Sequence, residues 1–190
     1  MITIVNYFSI GSFYDQVAFC TGLTKITVGW TNGGSHRSVG GCAHTRCGRT
    51  LAVGAPWSPI NGEASGNVRV FKLNTETETK TWEQQGREMQ GRDLGRWFGN
   101  TLIISHDGLT IAASIWDDIP GRPVIDFAGV RVFRFDSAEG EWIELGDGVP
   151  GQTLYDPFST SVTMSADGAV FVSGWDPFTN TSTVRTFILE

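Results

Sequence analysis

Laid on itself, the sequence returns every sixty residues. A period of that order marks a supersecondary unit repeated along the chain, each copy too small to bury its own apolar face, so that neighbours must stack. Leu51-Ala52-Val53-Gly54 falls on Ile111-Ala112-Ala113-Ser114 and again on Phe171-Val172-Ser173-Gly174, with the small residues in register. Gly48, Gly108 and Gly168 precede these runs at the same spacing. The latter two close Ser105-His106-Asp107-Gly108 and Ser165-Ala166-Asp167-Gly168, and Asp-Gly is a hairpin signal. Trp82 and Trp142, Gly86 and Gly146, Gly91 and Gly151, Leu94 and Leu154, and Phe98 and Phe158 keep the interval further along.

Within one unit the apolar runs are short, rich in β-branched residues and bounded by turn residues, and none has a helical period. The second unit predicts four strands, over 100–105, 109–115, 129–135 and 141–145, with the Asp107-Gly108 turn between the first two. Val130-Arg131-Val132-Phe133 repeats Val68-Arg69-Val70-Phe71, and Val184-Arg185-Thr186-Phe187 echoes it. In each of the first two, the valines face one side of the strand and Arg and Phe the other. Four antiparallel strands per unit describe a propeller blade, so the expected fold is all-β, a partial β-propeller of four-stranded antiparallel blades with a sixty-residue repeat. A β-sandwich of about a dozen strands would match the strand content, but it does not require like units at equal spacing. Gly, at 24 residues against a usual share of about 7%, agrees with many tight turns and argues against a helical bundle.

The train of motifs also resembles a known family. Gly48-Arg49-Thr50-Leu51-Ala52-Val53-Gly54-Ala55-Pro56, then Ser65-Gly66-Asn67-Val68-Arg69-Val70-Phe71, then Trp82 with Gly86, then Phe98-Gly99, are similar to the FG-GAP-like, integrin-type β-propeller repeats. The resemblance covers residues 45 to 190. It implies a propeller used for adhesion and partner binding, at the cell surface or outside the cell, and says little about activity. One departure is Thr45-Arg46-Cys47-Gly48, where the family pattern has Ser-Ala-Asp-Gly. Another is residues 1–37, which match no part of a repeat and stand open as an atypical cap, a remnant of another blade or a misplaced gene boundary. Residues 38–190 then hold two full blades and a shortened third. Since propellers close with about four to eight blades, the expectation is either part of a longer protein, or self-association that completes the ring between chains, or a small open array capped by residues 1–37.

Charge and cysteine content narrow the partners. A net charge of −6, with the 14 Lys and Arg spread along the chain, argues against a nucleic-acid binder, which needs clustered cations. No apolar run approaches the roughly 18 residues of a membrane span, and the opening residues carry Asp15 and lack the basic start of a signal peptide. Cys20, Cys42 and Cys47 are an odd set, which leaves a Cys42–Cys47 bridge open and the compartment undecided.

In an up-and-down blade, the connections after the second and fourth strands leave from the same end. The second-strand connections vary, at 14 positions from Gly54 to Val68, 16 from Ser114 to Val130 and 10 from Gly174 to Val184. Variable loops on a constant frame are where binding residues gather. That end collects Trp57, Trp97, Trp116, Tyr155 and Trp175 with Asp117, Asp118, Asp126, Asp156 and Asp176. Aromatic anchors among polar residues suit a protein or glycan partner, and the same aromatics would equally serve to cover the ends of neighbouring blades. The expected function is a non-catalytic binding or scaffolding module, with a carbohydrate-active propeller, lectin or glycoside hydrolase, as the alternative. A hydrolase would draw its carboxylate pair from Asp117, Asp126, Asp156 and Asp176, and nothing selects one.

Calcium is the cofactor that integrin-type blades suggest, but the chain lacks the D-x-D-x-D-G loop, and Asp107-Gly108 and Asp167-Gly168 are explained as hairpins. His36, Cys42, His44 and Cys47 lie within twelve residues, at a spacing that fits no standard zinc site. The repeat instead puts Cys42 and His44 at the core positions of Leu102 and Ile104. No cofactor is expected. The sequence contains no nucleophile elbow, no P-loop and no H-E-x-x-H pair.

Overall fold

The computed structural model describes residues 6–9, 16–21, 25–30, 41–45, 48–76, 81–92, 97–115, 129–146, 149–150, 161–165, 170–176 and 181–187. Among these residues all regular structure is β, with no helix. In particular, no helix is long and apolar enough to cross a membrane.

The strands of the described residues form four separate antiparallel meanders, none of which closes on itself there. The first pairs β1 (Asn6–Ser9), β2 (Gln16–Thr21) and β3 (Lys25–Trp30) in sequence order. It lies within the segment that matches no repeat. The second, here the first central sheet, runs β4 (Cys42–His44), β5 (Thr50–Ala55), β6 (Asn67–Asn74) and β7 (Thr81–Gln84). The two-residue β8 (Met89–Gln90) also pairs with β6. The second central sheet repeats this order with β9 (Leu102–Ile104), β10 (Thr110–Ile115), β11 (Gly129–Asp136) and β12 (Glu141–Glu144), and β13 (Val149–Pro150) pairs with β11. The last sheet is β14 (Ser161–Met164), β15 (Val170–Asp176) and β16 (Thr181–Phe187).

β8 refines the expected four strands. On β6, Phe71 faces Gln84 of β7 while Val68 faces Met89 of β8, so both segments lie along one edge of the same strand. Residues 85–88 between them are a bulge, in which the Gln85 N–H still donates to the Val70 carbonyl at 2.9 Å. The second central sheet does the same, the Leu145 N–H donating to the Val132 carbonyl at 2.8 Å. Each central sheet is therefore four strands wide among the described residues, and in the first the fourth strand is interrupted by a bulge at residues 85–88.

The apolar alternation explains how the sheets stack. Ala52, Val68 and Val70 meet Ile111, Ala113 and Phe133 across the space between the central sheets, in a core that also takes in Leu102 and a fully buried Phe98. On the opposite face of the second central sheet, Ala112, Val130 and Val132 meet Val162 of the last sheet. Every residue of β5 and β10 is buried, because both faces are covered, and this accounts for their unbroken apolar runs. The first strands of successive sheets sit together: β9 packs beside β4 and β5, and β14 beside β9 and β10. Close approach there requires glycine, since a Cβ at Gly54 would stand 2.0 Å from the Gly99 carbonyl oxygen.

The turns between first and second strands are built alike despite their different sequences. In the second central sheet the Ser105 hydroxyl accepts from the Thr110 N–H at 2.9 Å, and the Gly108 N–H donates to the Ser105 carbonyl at 3.0 Å. In the first, the Thr45 hydroxyl and carbonyl accept from Thr50 and Gly48 at 3.2 and 2.8 Å. The departure at residues 45–48 therefore preserves the turn, because Thr45 supplies the oxygen that Ser105 does.

One core assignment is corrected. His44 is exposed, its Nδ1 2.9 Å from the Thr45 carbonyl, and Cys42 is half-buried. The buried residue of β4 is Ala43. With three residues, β4 presents one side chain to the interior, and the register that pairs Ala43 with Ala52 makes it the central one.

Candidate functional site

The connection from β5 to β6 is a compact loop. The Ser58 N–H donates to the Ala55 carbonyl at 3.0 Å and the Gly66 N–H to the Ser58 carbonyl at 2.9 Å, so the loop closes on its own backbone. The Ser65 hydroxyl donates to the Ser58 carbonyl and accepts from the Asn61 N–H. The Asn61 side-chain amide donates to Gln90 Oε1 at 3.1 Å and to the Gly91 carbonyl at 2.8 Å. This ties the loop to the chain leaving β8, so the two connections expected at one end of the sheet do meet there.

Trp57 and Trp97 come together at this end, their ring centroids 4.4 Å apart at an interplanar angle of 42°. Both are half-buried. Trp97 holds a left-handed backbone, φ 42°, and its N–H donates at 3.0 Å to the carbonyl of Ala64, which is itself at φ 55°. Left-handed conformations are disfavoured for residues bearing a Cβ and persist where the surroundings enforce them. Here the next residue is Phe98, buried in the inter-sheet core with its N–H donating to the Ser65 carbonyl at 3.2 Å. Anchoring Phe98 fixes the turn that presents Trp97.

Of the other candidates, Trp175 and Asp176 occupy the last two positions of β15, where the connection to β16 departs, paired with Ser182 and Thr181. Trp116, Asp117, Asp118, Asp126, Tyr155 and Asp156 lie outside the described residues, as do His36 and Cys47. Among the described residues no three His, Cys, Asp or Glu side chains converge as metal ligands would.

Sequence reasoning missed a second feature, an open groove of about 1080 Å³ along the outer part of the central sheets. The bulge at residues 85–88 contributes Arg87 and Glu88 to it. Trp82, Gln84 and Glu88 line it from the first central sheet, and Arg131, Trp142 and Glu144 from the second. Arg69 donates through Nε and Nη2 to Glu88 Oε2, both at 2.8 Å. Arg131 forms a two-pronged pair with Glu144, Nε to Oε1 at 2.8 Å and Nη2 to Oε2 at 2.6 Å. A third donor of Arg131 reaches the Gln90 carbonyl, and its guanidinium lies 4.7 Å from the Phe98 ring centroid and 4.8 Å from that of Phe133.

Further contacts join the sheets across the groove. Arg92 donates to both oxygens of Glu144 at 3.1 Å, Arg87 pairs with Glu141 at 3.0 Å, and the Trp142 indole N–H donates to the Gln85 carbonyl at 2.8 Å. Burial of the Glu144 carboxyl favours its neutral form, but the hydrogen bonds and charge of Arg131, then those of Arg92, outweigh that effect and hold it below the ordinary glutamate value. The available signal was the repeated Val-Arg-Val-Phe, whose Arg faces the same side as Phe. The acidic partners carried no signal, since Glu88 follows its Arg by 19 residues and Glu144 by 13.

No protein-family model matches the sequence, and no curated protein matches it.

Proposed function

We propose that the chain is a non-catalytic binding module, part of a β-propeller, and that it recognises a protein partner through the end of the sheets where the second- and fourth-strand connections gather. Four properties support the propeller reading. The sheets are consecutive antiparallel meanders. Corresponding strands begin at residues 42 and 102, 50 and 110, and 81 and 141, the same sixty-residue interval as the sequence repeat. The first strands of successive sheets pack side by side, as they do around an axis. The motif train similar to FG-GAP-like repeats points the same way and adds a cell-surface or extracellular setting.

The observation that carries the binding reading is Trp97, held at φ 42° against Trp57 by a loop with an internal hydrogen-bond network. Two rigid, half-buried indoles on a preordered backbone offer apolar contact at low entropic cost, the property of interface anchors. A core role alone would not require the ring pair to stay half-exposed.

The test is proximity capture with a photoreactive group placed at Pro59, beside the indoles, in an extract of the source cells. A specific protein partner should be captured, and Trp57→Ala with Trp97→Ala should abolish capture while leaving the melting transition intact. Equal capture by the double variant overturns the reading, as does turnover of glycoside, ester or phosphate substrates that purifies with the protein.

A further inference from the structure

The geometry points to the groove along the outer part of the central sheets as a second binding site, one that takes a neutral, hydroxyl-rich ligand, a short uncharged oligosaccharide. It is separate from the indole pair, since neither Trp57 nor Trp97 lines it, and the inference does not rest on the function proposed above.

Charge selects the ligand class. The lining holds three arginines, Arg69, Arg87 and Arg131, and three glutamates, Glu88, Glu141 and Glu144. Each arginine is already paired with one of the glutamates, at 2.8, 3.0 and 2.6 Å respectively. An anionic ligand would have to pull an arginine from its carboxylate, and a cation the reverse. For Arg69–Glu88 and Arg131–Glu144, which are partly buried, breaking the pair leaves an uncompensated charge and is strongly unfavourable, whereas Arg87, 89% exposed, is held only weakly. A hydroxyl group does neither. It accepts from a guanidinium and donates to a carboxylate while the pair stays intact, and such charge-assisted hydrogen bonds are the strong ones. Arg69 is placed for this, with its side chain 31% exposed.

Shape gives the rest. The indoles of Trp82 and Trp142 line the groove with Phe71, and flat apolar faces suit the C–H face of a pyranose ring. Gln84 and Gln90 add neutral donors and acceptors. The volume of about 1080 Å³ lies just above the roughly 300–1000 Å³ of small-molecule pockets, room for several sugar rings rather than one.

The experiment is calorimetric and fluorescence titration of the whole chain with neutral hexasaccharides of β-glucan, mannan, xylan and chitin, alongside heparin and polygalacturonate hexamers as anionic probes. At least one neutral oligomer should bind saturably and perturb tryptophan emission. Trp82→Ala should weaken that binding by about tenfold or more, the loss of one stacking face. Glu88→Gln keeps the shape and removes the acceptor charge, so it should also weaken binding and serves if Trp82→Ala does not fold. Ile143→Thr, at a 49% exposed position next to Trp142 in sequence and so on the opposite face of β12, should leave affinity unchanged. The inference is overturned if no neutral oligomer binds at millimolar concentration, if an anionic probe binds more tightly than every neutral one, or if Glu88→Gln and every folded groove variant retain full affinity. Loss of binding only on replacing Trp57 and Trp97 would move the sugar to the loop end and overturn it equally.

Discussion

Trp97 combines two demands that ordinarily conflict, a large side chain and a left-handed backbone. Its ring serves contact with Trp57, while its φ follows from the anchoring of Phe98, so the two can be separated by mutation. Trp97→Ala loses the ring and keeps the strain; Trp97→Gly loses the ring and releases it. The glycine variant is expected to be the more stable by about 1 kcal/mol in urea denaturation, and on the proposed binding function neither should capture a partner. Glu144 yields a second prediction at this scale. Its folded-state carboxyl is held below the ordinary value of 4.5, so the unfolded chain binds the proton more readily. Its contribution is then complete above pH 4.5 and is lost as the pH falls through the lowered value. Melting curves should show Glu144→Gln less stable than the parent at pH 7, with the gap closing below pH 4.5. A gap that is constant with pH would remove the carboxylate from the account. Asp107 is shifted in the same direction: burial opposes the shift, and the Ser105 hydroxyl and the Leu109 N–H prevail. Some acid sensitivity should therefore survive in the variant.

At the scale of the element, the fourth strand decides what the sheets can do. A continuous strand over residues 81–90 would keep pairing with β6 and present a flat edge. The bulge at 85–88 instead turns Arg87 toward Glu141, places Glu88 against Arg69 and opens the groove. Gly86 makes the turn with φ 70°, where a Cβ would stand 2.9 Å from Trp142 Cδ1. Gly86→Ala should therefore cost about 2 kcal/mol from backbone strain and crowding, a fall of about 4–8 °C in melting temperature for a chain of this size. Nearly all of the regular strands in the central sheets were legible, because β5, β6, β10 and β11 carry period-two or buried apolar runs between strong turn residues. The bulges were not, since an interrupted edge strand lacks both signals and two residues such as Met89-Gln90 have no periodicity to read. Nor was Trp97's conformation legible, because nothing local marks a tryptophan for positive φ; it is imposed by Phe98 and Ala64. The candidate site was thus half visible: its aromatic residues stand out in the sequence, whereas the groove depends on ion pairs formed at two different separations.

At the scale of the molecule, the question is what one sheet requires of the next. The second central sheet is covered on both faces, by Ala52, Val68 and Val70 on one side and by Val162 on the other, and its β10 is buried throughout. Each further sheet added to such a row removes one apolar face from water and offers another, so a row ends only by closing on itself or by meeting something that caps it. On the propeller reading, the four meanders among the described residues stand at the lower limit of about four blades for closure. Among the described residues the first and last sheets have three strands each, against four in the central sheets, and a ring shared between chains would cover their outer faces. The 190-residue polypeptide is accordingly expected to associate, with a light-scattering mass above 20.7 kDa that falls on dilution, and with a melting temperature that rises with protein concentration, as mass action requires of a fold completed by a partner. A mass of 20.7 kDa at every concentration, with a single transition independent of concentration, would show that the chain satisfies its own outer faces. The first sheet, β1 to β3, would then be the element that caps the row, and deleting residues 1–37 should expose that face and convert the monomer to an aggregating species.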